Sequence, residues 1–149
     1  MLDAIYNLLN RAMSLHNDFA IEAMDKPATM DLVVELNTQK QLFDEGIDSR
    51  GVSLEDIGGG YSPVTKRYKA EQGQRYDHVT LKDTGDFYRS FEAKFDYAGD
   101  IIITANSIKD GKDITLRWGE NTLGLTNQSI AILKPINRDN IIKDLRKFL

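Results

Sequence analysis

The chain has 149 residues, of which 41% are hydrophobic and 28% are charged, and this composition is typical of one soluble globular domain. It contains no cysteine, which excludes a disulfide framework, a thiolate metal site and a cysteine nucleophile. The formal net charge of −4 argues against a non-specific nucleic-acid binder, because such proteins are normally basic.

The beginning of the chain carries no targeting signal. Residues 1–6 lack the basic start and the apolar run of a signal peptide. No stretch approaches the roughly 20 apolar residues that a membrane span requires. We therefore expect a protein that is made in the cytosol and has no membrane partner.

Two helices are predicted before residue 46. In residues 2–24, apolar side chains recur at three- and four-residue steps. A second helix is expected to begin at a Thr29 cap and to end at Gly46. Both apolar stripes predict packing in the core, and contact of part of one stripe with a partner subunit is the alternative. The first stripe comprises Leu2, Ile5, Leu9, Ala12 or Met13, Phe19 and Ala23, and the second comprises Leu32, Val33, Leu36 and Phe43.

Residues 46–62 are predicted to form a loop that is longer than most connections in compact domains, where such loops tend to be functional or mobile. It contains the triple glycine at 58–60. No Lys-Ser or Lys-Thr follows these glycines, as it would in a phosphate-binding loop. We therefore interpret the segment as flexible, and we expect it to be mobile in the free subunit and ordered on assembly.

A basic cluster follows this loop. Ser62 and Pro63 are typical of the first positions of a helix, and Gly73 marks its end. Four cations lie close together here, with Tyr68 and Tyr76 between them. A solvated helix face is the ordinary interpretation, and contact with an acidic partner surface or a nucleic-acid backbone is the alternative. The cluster comprises Lys66, Arg67, Lys69 and Arg75.

The next segment predicts a structural turn made of Asp83, Thr84 and Gly85. Asp83 or Thr84 can cap one helical turn, which would place Phe87 and Phe91 on one face. Gly85 stands where the turn passes into this helical segment, and we expect it to adopt a positive φ.

Strands are predicted after this turn. Apolar and polar residues alternate in 91–97, and the isoleucine run in 101–107 indicates a returning strand with deeper burial. Asp110-Gly111 is a strong hairpin signal. A third strand is predicted from the alternation of Ile114, Leu116 and Trp118. The expected result is an antiparallel β-meander of three or more strands.

The C-terminal part predicts two helices. Thr126 can cap a short helix that ends at Leu133, and Pro135 is expected to stop or kink it. A last helix then begins at Asn137 or Arg138. Together these elements predict an α+β fold with N-terminal helices, a small antiparallel β-meander and a C-terminal helix. The predicted single domain spans 1–149 and divides into helices 1–45, the loop 46–62, a helix plus β-meander 63–118, and C-terminal helices 126–149.

Enzyme signals are weak. The tripeptide Asp83-Thr84-Gly85 is flanked by Lys82 and Asp86, whereas an aspartic protease presents it between apolar strands and needs two copies. His16 and His78 do not have metal-ligand spacing. We therefore predict no catalytic, cofactor-binding or metal-binding residue.

A hydrolase that uses a carboxylate pair is the third hypothesis for function. The pairs would be drawn from Asp44, Glu45 and Asp48, or from Glu55 and Asp56.

Residues 61–91 carry a pattern that is similar to a known group of proteins. Tyr61-Ser62-Pro63-Val64-Thr65-Lys66 is followed by Lys69 and Gly73, and then by Leu81-Lys82-Asp83-Thr84-Gly85-Asp86-Phe87-Tyr88-Arg89-Ser90-Phe91. This resembles the neck and tail-completion proteins of tailed bacteriophages, the group that includes the phage virion morphogenesis and head–tail connector families. The resemblance covers roughly residues 61–149, with Trp118-Gly119 and the terminal helix in the expected order. Phe87 replaces the usual leucine, and Gly124-Leu125-Thr126-Asn127 stands where those families often carry an arginine-rich segment.

The resemblance implies a structural virion protein that forms or completes a head–tail ring of identical subunits, without catalysis. The implied partners are further copies of the chain, neighbouring virion proteins such as the connector or tail tube, and DNA in the lumen. The implied location is the virion, after synthesis in the bacterial cytoplasm. In such a ring, the basic cluster is our candidate to contact the acidic Asp44, Glu45 and Asp48 region of the next subunit. The alternative is a small phage-encoded regulatory or inhibitory protein that binds a host protein.

Overall fold

Helices form most of the described chain, and two small antiparallel hairpins lie between residues 92 and 113. The computed structural model describes residues 3, 4, 7 and 18–147. The predicted α+β class is confirmed. The helical elements are α1 (18–24), α2 (Pro27–Glu35), a π-helix (Leu36–Glu45), α3 (Leu54–Gly58), α4 (Pro63–Glu71), α5 (Asp86–Arg89), α6 (Ile114–Trp118), a 3₁₀ turn (Glu120–Thr122) and α7 (Asn127–Leu145).

Much of the first predicted helix lies outside the described residues. This applies to its stripe residues Leu2, Ile5, Leu9, Ala12 and Met13, and also to His16. In the described part, Ala23 is buried and Phe19 is partly buried.

The second predicted helix begins earlier than expected. Lys26 precedes the first residue of α2 and makes no side-chain cap, while Pro27 occupies the first helical position. The fixed φ of proline suits that position, so the helix starts there and Thr29 is a buried helical residue rather than the cap. The helix then continues as the π-helix and ends at Gly46, which has a φ of 64°. The predicted C-terminal stop is therefore confirmed.

Two buried amide side chains connect the π-helix to the backbone that precedes α7. Asn37 donates from Nδ2 to the carbonyl of Thr122 (2.9 Å), and its Oδ1 accepts from the N–H of Gly124 (2.9 Å). Gln41 donates from Nε2 to the carbonyl of Gly124 (2.8 Å), and its Oε1 accepts from the N–H of Thr126 (2.8 Å). These four bonds satisfy backbone groups of an irregular segment.

The predicted loop 46–62 contains regular structure. Ile47 and Ser53 form an isolated antiparallel bridge, and α3 follows immediately. Leu54, the first residue of α3, is fully buried in the core. The prediction of a loop throughout 46–62 is therefore wrong at α3, where Leu54 is buried and Ile57 packs against the same cluster, while the mobility of the segment in the free subunit stays a prediction.

The hairpins follow the predicted turns. Strand β1 (Glu92–Phe95) pairs antiparallel with β2 (Ile101–Thr104), and β3 (Ile108–Lys109) pairs with β4 (Lys112–Asp113). Asp110 and Gly111 both have positive φ, at 49° and 73°, as the predicted Asp-Gly hairpin requires. The isoleucine run is less buried than expected, because Ile102 lies on the exposed face of β2.

The predicted third strand is wrong, because residues 114–118 form helix α6. Asp113 caps this helix, and its side chain accepts from the N–H of Thr115 at 2.9 Å. Ile114 and Trp118 are four residues apart and share a helical face, while Leu116 is 87% exposed. The same alternation of apolar residues that indicates a strand therefore also fits one turn of helix.

The predicted break at Pro135 is also wrong. Helix α7 begins after the predicted Thr126 cap, which accepts from the N–H of Ser129, and it continues through Pro135 to Leu145. Proline leaves the carbonyl of Ala131 without its helical donor. Both residues are exposed, so water can replace the missing bond.

Among the described residues, the core contains two hydrophobic clusters. The first joins α3, α5 and α6 through Leu42, Leu54, Val79, Phe87, Phe91 and Ile114. The second joins α2 to α7 through Met30, Val33, Leu36 and Leu133. Ile103 of β2 packs against both clusters, so the β1–β2 hairpin connects the two halves of the core.

Candidate functional site

The four cations of the basic cluster do not form one surface. Lys66 and Arg67 lie exposed on α4, and Arg67 pairs with Glu71 one turn later at 3.1 Å. Lys69 is only 5% exposed. Its ammonium donates to Oε1 of Gln74 (3.0 Å) and to the carbonyl of Lys82 (2.6 Å). Lys69 is therefore not free to bind a partner.

Lys69 also lies 5.0 Å from the centre of the Tyr61 ring. A cation over an aromatic face is stabilised by the quadrupole of the ring, and this compensates for part of the lost hydration. The function that the structure gives Lys69 is to connect α4 to the 81–83 segment.

Arg75 is occupied within the chain. Its guanidinium donates to both carboxylate oxygens of Asp77, at 2.8 and 3.3 Å, and lies 3.7 Å from Asp44. The hydrogen bond from Arg75 lowers the pKa of Asp77 to about 2. The predicted pairing of Arg75 with Asp44 between subunits is thus made inside one subunit.

The acidic region predicted as the partner surface is also divided. Glu45 pairs with Lys40 of the same helix, and Asp44 lies near Arg75. Asp48 is fully buried and accepts from Arg50 and from the backbone N–H of Val52 (3.0 Å). Lys69 and Asp48, two of the seven predicted interface residues, are not available for a contact between subunits, because they are buried and bonded inside the subunit.

The Asp83-Thr84-Gly85 turn is held by local contacts. Gly85 has a φ of 88° and directly precedes α5. Thr84 donates to Oδ2 of Asp86 at 2.6 Å, and Asp83 pairs with Lys109, whose hydrogen bond lowers the pKa of that carboxyl. The turn directs Phe87 into the core, where its ring centre lies 5.0 Å from that of Phe91.

An aromatic groove, which sequence reasoning missed, lies beside this turn. Its aromatic walls are Tyr61, Tyr68 and Trp118, and they line an open cleft of about 210 Å³. Leu81, which also lines the cleft, has a φ of 57° in the left-handed region. A leucine in that region is uncommon and carries backbone strain. The remaining lining side chains include Lys69, Lys82, Asp83 and Lys109.

A large apolar side chain remains exposed beside the aromatic groove. Val64 lies on α4, one turn before Tyr68, and is 79% exposed. Leu116 of α6 is 87% exposed, but it lies on the helix face opposite Ile114 and Trp118, which line the groove. An exposed apolar group beside an aromatic groove extends the surface available for a contact.

A second surface lies at the far end of the β1–β2 hairpin, and we call residues 96–100 together with 18–25 the acidic tip. Tyr97 is 98% exposed there. Asp18, Glu22 and Asp25 of the α1 segment line a shallow depression beside it. The signal for Tyr97 was present in the sequence, since an aromatic residue next to an Ala-Gly-Asp turn has no strand partner to cover it.

Among the described residues, no three histidine or acidic side chains are grouped so that they could hold a metal ion. His78 is used structurally, with Nε2 2.8 Å from the carbonyl of Phe43 and Nδ1 3.4 Å from Asp77. Within the same described part, no helix is both long enough and apolar enough to cross a bilayer.

Comparison with known proteins gives no significant match, either to a family model, to a curated protein or to a solved structure. The two surfaces and the resemblance of residues 61–149 remain as the basis for a functional proposal.

Proposed function

We propose that this chain is a structural virion protein of a tailed phage or prophage, which forms or completes a ring at the head–tail neck or the tail end. Its partners are further copies of itself and neighbouring virion proteins such as the connector or the tail tube. It is made in the bacterial cytoplasm and is located in the virion. It acts by protein–protein contact and not by catalysis.

The observation that carries this proposal is the pair of separate contact surfaces on one small domain. The aromatic groove is lined by residues from 61–83 and 109–118, whereas the exposed Tyr97 lies on the turn of the β1–β2 hairpin, outside that lining. A subunit of a closed ring uses two different patches, because each subunit contacts its two neighbours in the same direction. An isologous dimer would need only one patch.

The resemblance of residues 61–91 supports the same proposal. In the structure this stretch forms α4, the Gly85 turn and α5, and it supplies one wall of the aromatic groove. The exposed Lys66 and Arg67 on α4 are the residues we propose for contact with DNA if this face lines a lumen.

The proposal is tested by isolating phage particles from the strain that encodes the chain and identifying their proteins by mass spectrometry. We expect the chain in intact particles at a fixed ratio to the portal protein. Deletion of its gene should leave heads and tails that do not join. Absence of the chain from particles, with normal assembly in the deletion strain, would refute the proposal. If the isolated chain instead forms a stable complex with a host protein, the regulatory alternative is favoured.

A further inference from the structure

We propose that Tyr97 of one copy inserts into the aromatic groove of a second copy, so that the chains associate head to tail. This inference rests on the proposed function, because it names the contact by which the ring subunits bind one another. The occupant of the groove is therefore a second copy of this chain, presented by its acidic tip.

The acidic tip has the form of a projecting anchor. Tyr97 follows the last position of β1 by two residues and is 98% exposed. Asp96 holds the turn below it, since its Oδ1 accepts from the N–H groups of Ala98 (2.9 Å) and Asp100 (2.8 Å). A tyrosine on a fixed turn loses little conformational freedom on binding, and tyrosine is enriched among the residues that dominate binding energy.

The aromatic groove has the size and the walls to receive such a ring. Its cleft of about 210 Å³ exceeds the roughly 150 Å³ that suffices to hold a benzene molecule in a protein interior. Tyr61, Tyr68 and Trp118 provide aromatic faces, and tilted or stacked pairs of rings contribute beyond their buried area.

The charges around the two surfaces are opposite in sign. The acidic tip, residues 18–25 and 96–100, contains five acidic residues and no basic residue. The side chains that line the groove include three lysines, Lys69, Lys82 and Lys109, and one acidic residue, Asp83. Complementary charge favours the encounter of a tip with a groove and disfavours the encounter of two tips or two grooves. This difference is the reason to choose a second copy as the occupant.

The tip and the groove are different surfaces of one copy, so a single contact between two copies leaves a free groove on one and a free tip on the other. β1 begins at Glu92, beside the Gly85 turn and α5, and ends at the acidic tip. One copy therefore offers its tip to one neighbour and its groove to another, which produces a ring or a filament.

The contact can be tested by disulfide cross-linking, since the chain has no cysteine of its own. Ala98→Cys places a thiol beside Tyr97, and Val64→Cys places one beside Tyr68. We expect the mixture of these two variants to form a cross-linked pair several times faster than the mixture of either variant with a control, Lys134→Cys. Lys134 is an exposed residue on α7. Equal rates for all pairs would overturn the inference.

A mixing experiment tests the direction of association. Tyr97→Ala removes the anchor and leaves the groove, while Tyr68→Glu places a negative charge in the groove and leaves the tip. Each variant alone should self-associate at least about tenfold more weakly than the natural chain, measured by sedimentation. Mixed together, they should form dimers and nothing larger. Tyr76→Ala removes an exposed tyrosine outside both surfaces and should associate normally.

The outcomes separate this inference from the proposed function. If the chain is found in particles but cross-linking through Ala98→Cys and Val64→Cys does not exceed the control, the contact is wrong and the virion function stands. If the cross-link forms and the mixture stops at dimers but the chain is absent from particles, the contact stands and the virion function is wrong.

Discussion

Replacement of Gln41 by leucine should destabilise the fold more than its conservative size suggests. Gln41 is fully buried, and its amide supplies an acceptor to the N–H of Thr126 and a donor to the carbonyl of Gly124. Leucine fills a similar volume but leaves both backbone groups without a partner. Each unsatisfied buried group costs about 1–3 kcal/mol. Allowing for the gain from burying an apolar side chain, we expect a loss of about 2–4 kcal/mol in the free energy of unfolding.

This loss is large for a domain whose total stability is about 5–15 kcal/mol. It corresponds to a fall of about 4–16 °C in the melting temperature for a chain of this length. The assay is urea and thermal unfolding, combined with hydrogen exchange of the Thr126 amide, which should become faster in the variant.

The chain offers a matched control for this prediction. Gln39 lies two residues earlier on the same π-helix, is exposed, and bonds only to the side chain of Asp44 (3.2 Å). Gln39→Leu should change stability by less than about 0.5 kcal/mol. Equal effects of the two substitutions would show that helix propensity, and not the bonds to residues 124 and 126, sets the cost.

Three further predictions concern a turn, a buried acid and an ion pair. Gly85→Val should cost about 1–3 kcal/mol, because valine at a φ of 88° is strained, while the nearby Arg89 side chain can move away. Asp48→Ala should cost about 2–4 kcal/mol, because it removes acceptors for two backbone N–H groups and for the Arg50 guanidinium. Hydrogen bonds from Lys147 and Lys26 lower the pKa of Asp144 to about 2. This stabilisation is present above the unfolded pKa of about 4 and is lost as the pH falls through 2, so Asp144→Asn should melt lower than the natural chain at pH 7 and by a much smaller margin at pH 2.

Each of these three predictions has a control variant or a control condition. Adding Arg89→Ala to Gly85→Val should restore little, and full recovery would mean that contact with Arg89 causes the loss. Asp48→Asn keeps an acceptor and should cost less than Asp48→Ala, whereas an equal loss would contradict the bonding argument. A melting difference for Asp144→Asn that persists unchanged at pH 2 would contradict the assigned pKa.

The parts of the fold that could be predicted depend on local chemistry. The Ser62 and Thr126 caps, the stop at Gly46 and the Asp110-Gly111 hairpin all follow from residues that satisfy or bend the backbone next to them. Where the spacing of apolar residues fits both a strand and a helix, the sequence does not decide the secondary structure. Ile114 to Trp118 fits a strand by alternation and a helix by its spacing, and the Asp113 cap favours the helix.

The candidate site could be predicted only in part, because its groove joins residues far apart in the chain. Tyr61 and Tyr68 meet Trp118 about fifty residues later, through the packing of α6 on the first core cluster. The burial of Lys69 is equally non-local, since its acceptor is the carbonyl of Lys82, which no spacing rule predicts. A run of charges in a sequence therefore does not establish a charged surface.

For the segment 46–62, the sequence pattern predicts mobility and the structure predicts a fixed position. Hydrogen exchange distinguishes these two predictions. The glycines and the length predict a mobile segment, whereas the structure buries Leu54 and bonds its N–H to the carbonyl of Gly46 at 2.9 Å. Because exchange of a buried, bonded amide requires local opening, we expect slow exchange at Leu54 and fast exchange at the exposed Gly60 in the free subunit. Fast exchange at both would restore the mobile loop and contradict the packing of α3. Slow exchange at Leu54 that is lost in Asp48→Ala would identify the buried carboxylate as the group that holds the segment in place.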